Sequence, residues 1–267
     1  MLGAIIGDIV GSRFEFNNTH KTDFELFHKD CSFTDDTICT VAIADAILRK
    51  CSYQESLLRW CRSHPNPMGG YGGRFGQWVN SNNPQPYNSY GNGSAMRVSP
   101  VAWAFDNLDD VLAEAEKTAL PTHNHPEGIK GAKAVAHEIY VWRSGGDSLA
   151  TDADLIAIHN IYYPCVLVSN LPKGKFDETC MGTVPLALYI VYMATSFEEA
   201  IRMAVAWGGD SDTIAAMVGS IAEARWGVPW HIGEKAMRYL PQSMQSVINL
   251  FYDTIPNQKL YGTEQHN

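Results

Sequence analysis

Apolar residues recur at helical spacing along almost the whole chain, and this period limits the folds open to it more than any other feature. Strand-like alternation is confined to one short run, Cys165 to Ser169 (CVLVS), and a single strand builds no sheet. The expected fold class is all-α: one multi-helix orthogonal bundle over residues 1–267, with no composition shift and no fixed-period repeat to divide it. Ser52 with Glu55, and Ser196 with Glu199, have capping-box spacing just ahead of apolar-periodic segments and mark two helix starts. Further helices are expected at Thr37–Lys50, Asp109–Thr118, Gly128–Ser144, Asp152–Tyr162, Val184–Met193, Thr213–Trp226 and Gln242–Tyr252. The segment TIAAMVGSIAEARWG carries Ala215, Ala216, Gly219 and Ala222, small enough to admit a neighbouring helix closely, which places it in the middle of the bundle. Loops are expected where Gly, Asn and Pro gather: 64–73, 81–93 and 173–182.

Composition excludes several classes of function. The 267 residues include 45% hydrophobic and 18% charged side chains, enough to bury a core. Lys and Arg number 20 against 29 Asp and Glu, a net charge of −9, and no basic run reaches five residues, so long duplex nucleic acid is not an expected partner. The same acidity repels free nucleotides, and a phosphate site here must rely on backbone amides, helix N-termini or bound cations. Six dispersed cysteines without a CxxC pair fit reduced thiols in a cytoplasm. The opening MLGAIIGDIVGSRF has no basic start and carries Asp8 in its apolar stretch, so it does not read as a signal peptide. The longest apolar stretch, Gly182 to Thr195, contains Pro185 and falls short of the roughly 20 residues a membrane helix needs.

Two acidic clusters lie in apolar or glycine-rich surroundings: Thr34-Asp35-Asp36-Thr37 and Asp210-Ser211-Asp212-Thr213. Each gathers carboxylates and a hydroxyl within one turn ahead of an apolar helix. Such hard oxygens suit Mg²⁺ or Mn²⁺, whereas Zn²⁺ normally recruits His or Cys. Brought together, the four carboxylates would hold two divalent ions. The alternative is that Asp35, Asp36 and Asp212 cap their helices and complement the helix dipole.

Asp8 and Glu15 stand seven apart, on one face if the segment is helical, with Gly3, Gly7 and Gly11 allowing close packing. A carboxylate beside a dimetal centre would orient or deprotonate an attacking water, whereas a structural Asp and an exposed Glu is the plainer alternative. The turn Gly91-Asn92-Gly93-Ser94 ahead of an apolar segment can offer backbone amides to a phosphate, or be an ordinary loop followed by a structural Arg97. Tyr71, in the glycine-rich loop 69–75, suits stacking on a base or sugar, although the loop also reads as a mobile surface segment. His123, in THNHPEG, reads as a neutral hydrogen-bonding group near a sugar or as a satisfied loop histidine, and His125-Pro126 as a turn.

Taken together these segments resemble the ADP-ribosylglycohydrolases. The matching residues are G-D-x-x-G-x-x-x-E (Gly7, Asp8, Gly11, Glu15), F-T-D-D-T (Phe33 to Thr37), G-N-G-S-A-M-R (Gly91 to Arg97), T-H (Thr122, His123), S-F-E-E-A-I (Ser196 to Ile201) and G-G-D-S-D-T-I-A-A (Gly208 to Ala216). The resemblance implies an all-α fold with a central site for two Mg²⁺ ions, sometimes Mn²⁺. It implies ligands from Thr34, Asp35, Asp36, Asp210, Asp212 and Thr213, a catalytic Glu15, and substrate contacts from Gly91, Asn92, Gly93, Ser94 and His123. The implied activity is hydrolysis of an N- or O-glycosidic bond between ADP-ribose and an acceptor, an ADP-ribosylated protein or another ADP-ribose conjugate. The acceptor stays open among arginine-linked, serine-linked, polymeric, O-acetyl and nucleic-acid-linked forms, and the oligomeric state is not encoded in these patterns. Two rival readings use the same residues: a dimetal phosphoesterase or nucleotide hydrolase, and a non-catalytic ADP-ribose-binding protein.

Overall fold

A computed structural model gives the structure of residues 1–145, 152–164 and 166–255. Its helices follow the order α1 (Leu2–Gly11), α2 (Asp35–Arg49), α3 (Tyr53–Ser63), α4 (Gly73–Asn80), α5 (Gly93–Met96), α6 (Ser99–Ala104), α7 (Leu108–Ala119), α8 (Pro126–Gly145), α9 (Asp152–Tyr162), α10 (Cys180–Met193), α11 (Phe197–Trp207), α12 (Ser211–Trp226), α13 (Trp230–Met237) and α14 (Gln242–Thr254). No strand is present among the described residues; only two isolated β-bridges, Gly91 with Thr179 and Gly174 with Gly208, join loops.

The all-α expectation therefore holds, and both capping boxes form: Ser52 Oγ accepts from Glu55 N at 3.1 Å and Ser196 Oγ from Glu199 N at 3.2 Å. The strand-like run does not. Val168–Asn170 forms a 3-10 turn, with Val168 buried and Leu167 exposed, and Cys165 lies outside the described residues. Alternation alone cannot hold a strand when no neighbour supplies ladder hydrogen bonds. Helices α4, α5, α6 and α13, each of eight residues or fewer, were not expected, because about two turns give too few repeats for a period to emerge.

The most extensive helix pair is α1 with α12, which sit in the middle of the bundle. Every residue of α1 is buried, as is α12 from Ser211 to Glu223. Their approach depends on missing side chains. A Cβ at Gly3 would lie 2.0 Å from the carbonyl oxygen of Gly219, one at Gly7 1.9 Å from that of Ala215, and one at Gly11 2.5 Å from Asp212 Cα. Backbone thus meets backbone along three turns of α1, and this contact carries Asp8 against the N-terminal end of α12. At the far end of the pair, buried Glu223 accepts from Gly3 N at 2.8 Å, and the Tyr252 hydroxyl both accepts from Leu2 N at 2.9 Å and donates to Glu223.

Cys31, Cys39, Cys51, Cys61 and Cys180 are free thiols. Among the described residues no helix is long and apolar enough to cross a membrane.

Candidate metal centre and its cleft

The N-terminal ends of α2 and α12 converge beside α1. Thr34 caps α2, its hydroxyl oxygen accepting from Asp36 N at 3.3 Å. Asp8 reinforces that end from α1: its Oδ2 accepts from Thr34 N at 2.9 Å and Thr37 N at 3.1 Å, and its Oδ1 accepts from the Thr34 hydroxyl at 2.7 Å. With the cap supplied by Thr34 and Asp8, Asp36 is not needed for it. Asp210 is the N-cap residue of α12 but makes no side-chain cap bond; its Oδ2 instead accepts from Asn92 Nδ2 at 2.7 Å. No aspartate of either cluster caps its helix with its side chain, whereas Asp35, Asp36 and Asp212 stand in the first turns of α2 and α12, where their charge complements the helix dipole.

These carboxylates form two groups that share a member. Asp8, Asp36 and Asp212 can each bring one oxygen within 4.8 Å of the others, and so can Glu15, Asp210 and Asp212. Asp8, Asp36, Asp210 and Asp212 are all buried. Thr213 donates to Asp36 Oδ2 at 3.2 Å. The remaining oxygens, Asp36 Oδ1 and Asp212 Oδ1, are buried without a hydrogen-bond partner. Buried carboxylates facing one another without compensation are costly, and divalent cations are the partners that all-oxygen ligand sets accept. The residues present fit such ions.

The electrostatics agree. Burial is the largest cause of each shift, followed for most of the acids by their like-charged neighbours. Asp8 and Asp210 are pushed up to about 6 even though each accepts hydrogen bonds, Glu15 to about 7 and Asp35 to about 8. Asp36 and Asp212 are raised well above the usual carboxylate range.

Glu15 does not continue the face of α1. That helix ends at Gly11, a 3-10 turn spans Ser12–Phe14, and Glu15 follows it, half-buried. Asp35 lines the same cleft but belongs to neither close group of oxygens. The cleft, about 470 Å³, is also lined by Tyr71, Gly91, Asn92, Gly93 and His123, so the structure gathers these expected substrate residues around one space. Ser94 is separate: it is fully buried and its hydroxyl donates to Gly128 O at 2.7 Å, a structural role. Within the loop the amide of Gly91 is bound to Ser89 Oγ and that of Asn92 to Glu178 O, whereas those of Gly93 and Ser94 have no such partner among the described residues. The Tyr71 hydroxyl is anchored, donating to Cys61 O and His64 O, and its ring packs on Phe75 at 5.6 Å. His125 forms the expected turn, its Nδ1 accepting from Glu127 N at the start of α8.

The sequence pairs Asp8 with Glu15 and not with the acidic clusters, although its apolar context is the signal that it belongs with them. Glu178 and the stacked pair Phe16 and Phe176, with centroids 5.8 Å apart, also line the cleft. No periodic signal marks them, because they sit in loops. A roomier depression of about 640 Å³ between Ile47, Tyr53, Phe105 and Leu120 holds one acid, Glu114, and that is already bound by Lys117 and Tyr53.

The fold and site define an all-α protein in which two acidic helix ends, able to hold metal ions, meet over a glycine-lined cleft. The ADP-ribosylglycohydrolase family model matches residues 1–258, and the chain belongs to that family. It is 26% identical over 265 residues to the ADP-ribosylarginine hydrolase Tri1 of Pseudomonas putida (strain GB-1), covering 85% of this chain and 70% of that one. It is 25% identical over 335 residues to the ADP-ribosylhydrolase ARH3 of Mus musculus, covering 95% and 87%. With the ADP-ribosyl-[dinitrogen reductase] glycohydrolase of Rhodospirillum rubrum it shares 24% over 252 residues, covering 85% and 84%. A solved ADP-ribosylglycohydrolase-related protein complex has the same fold, with a TM-score of 0.71 over 94% of this chain and 96% of that one, at 24% identity. Family membership supports hydrolysis of ADP-ribose conjugates.

Proposed function

We propose that this chain is a divalent-metal-dependent hydrolase that cleaves the glycosidic bond between the distal ribose of ADP-ribose and an acceptor, acting through residues 1–267 as one unit. The observation that carries the reading is the pair of buried, unpartnered oxygens, Asp36 Oδ1 and Asp212 Oδ1, in carboxylate groups that share Asp212. Two Mg²⁺ or Mn²⁺ ions held by Thr34, Asp35, Asp36, Asp210, Asp212 and Thr213 would supply positive charge for binding the ribose hydroxyls and neutralising the acids.

The chain's own groups then account for the rest. Glu15, half-buried at the cleft, is placed to hold a water and take its proton once bound cations offset the burial and acidic neighbours that raise its carboxyl in the metal-free chain. The bond from the anomeric carbon to the acceptor breaks as the bond to the water oxygen forms, through an oxocarbenium-like transition state. The acceptor leaves with the proton that Glu15 took from the water, which returns Glu15 to its carboxylate, and ADP-ribose is the second product. The free amide of Gly93 and the ring of His123 suit the phosphate and ribose oxygens, which answers how an acidic chain holds an anionic substrate. Tyr71 offers its ring to the base or sugar, backed by Phe75, which itself stacks on Trp78.

The test is incubation with arginine-, serine- and polymer-linked ADP-ribose in Mg²⁺, Mn²⁺ or EDTA, following products by mass. Free ADP-ribose released only with metal is the expected outcome and names the linkage. AMP or inorganic phosphate in its place would indicate phosphoryl chemistry and overturn the proposal.

A further inference from the structure

His123 is buried in the wall of the cleft, and its two ring nitrogens face different surroundings. Nδ1 lies 2.7 Å from the Thr122 hydroxyl oxygen. That oxygen also receives Arg97 Nη2 at 2.8 Å. Nε2 turns to the glycine loop: it would lie 3.0 Å from a Cβ placed on Gly93 and 3.5 Å from one on Gly91. The loop therefore comes as close to this nitrogen as backbone without side chains allows.

Arg97 is 1% exposed and has no carboxylate within ion-pair distance among the described residues. Its Nη2 also donates to Thr118 O at 2.9 Å. A guanidinium can only donate, so the Thr122 oxygen accepts from it. The Thr122 hydroxyl has one hydrogen of its own. If Nδ1 carried a proton, the oxygen would face two donors and its own hydrogen would have no acceptor among the described residues. If Nδ1 is bare, the hydroxyl donates to it, and both the Thr122 hydroxyl and Nδ1 are satisfied, as buried polar groups require.

We propose that Arg97 and Thr122 form a relay that holds His123 in its Nε2–H tautomer, so that it faces the cleft as a neutral hydrogen-bond donor to a phosphate or ribose oxygen. Arg97 and Thr122 are thus positioning residues that act through His123. Burial, and then the charge of Arg97, also keep the imidazole well below its ordinary value, so it stays uncharged where the enzyme would work. A neutral donor can bind an anionic group without adding a cation that the neighbouring acids would capture. The ligand role rests on the function proposed above, whereas the tautomer does not.

The experiment is long-range ¹H–¹⁵N correlation on the full chain labelled at histidine nitrogen, with His123 assigned by the signals lost in His123→Gln. At pH 7 the expected pattern is a protonated Nε2 and a bare Nδ1; an Nδ1–H ring or an imidazolium would overturn the relay. In Thr122→Val the ring should shift towards Nδ1–H, and ADP-ribose, measured by calorimetry, should bind about three- to tenfold more weakly. Thr122→Ser, which keeps the hydroxyl, should restore both. An unchanged tautomer in Thr122→Val, or failure of Thr122→Ser to retain the wild-type pattern, would remove Thr122 from the proposal. Absence of ADP-ribose binding by the wild type would count against the proposed function, while the nitrogen shifts would still judge the relay.

Discussion

Asp8 and Thr34, 26 residues apart, are joined twice: the Asp8 carboxylate accepts the Thr34 amide at 2.9 Å and its hydroxyl at 2.7 Å. A third bond, from Thr37 N, completes the tie between α1 and the N-terminal end of α2. Asp8→Ala leaves these buried donors unsatisfied and is expected to destabilise the fold by about 2–4 kcal/mol. Urea unfolding in EDTA measures this, and a midpoint equal to wild type would refute the structural role.

Asp36 and Asp212 behave in the opposite way. Their unpartnered oxygens repel like charges, so Asp36→Asn and Asp212→Asn are expected to raise the melting temperature of the metal-free protein. Wild type should in turn gain from cation: Mg²⁺ or Mn²⁺ at 100 times its Kd contributes about 2.7 kcal/mol, or roughly 5–10 °C for a chain of this size. Both variants should lose that gain. A variant that still responds fully to metal would place the ions elsewhere.

The pH dependence follows from raised carboxyls. Asp8 and Asp210 near 6, Glu15 near 7 and Asp35 near 8 exceed their unfolded values of about 4, so the folded chain holds protons that the unfolded chain has released. Their contribution is fully present below about pH 4 and is lost as pH rises through 6 to 8. In EDTA the unfolding midpoint should therefore fall from pH 5.5 to pH 8.5, and saturating Mg²⁺ should flatten the profile. A metal-free midpoint that rises over this window would contradict the buried acids.

Gly7 holds α1 against α12, and its missing Cβ would sit 1.9 Å from the Ala215 carbonyl oxygen. Gly7→Ala must force the helices apart, at a cost of about 3 kcal/mol or more. Because Asp8 is the next residue, the same displacement should weaken the metal-induced rise in melting temperature. Retention of both would mean that the helices can separate without moving the acids.

Glu15→Gln keeps the shape of the side chain and removes its capacity to take a proton. Turnover should fall about 10²–10⁴-fold while ADP-ribose affinity stays within about threefold of wild type. A parallel loss of affinity would assign Glu15 to binding.

Much of this was legible from spacing and composition. Long helices such as α2, α8, α12 and α14 repeat their apolar period several times, and their residues announce them without any partner. The two acidic clusters were visible because carboxylates ahead of apolar helices are chemically out of place. Short helices escaped, and so did the 3-10 turn at Val168–Asn170, whose alternation imitated a strand. The condition for Asp8 and Glu15 to share a helical face is not met, since Gly11 ends α1 before Glu15.

By itself, then, the amino-acid order determined the helical class, the principal helix starts and the residue types that can ligate a hard cation, because these depend on neighbours within a few positions. The tertiary structure alone decided that Asp8 joins Asp36, that Asp212 is shared by two groups, that Ser94 turns away from the cleft and that His123 answers to Arg97. Those relations join residues up to about two hundred positions apart. The acidic groups are assembled by the backbone contact of α1 with α12, which no local pattern records, whereas Ser94 and His123 are set by the packing of the glycine loop against the start of α8.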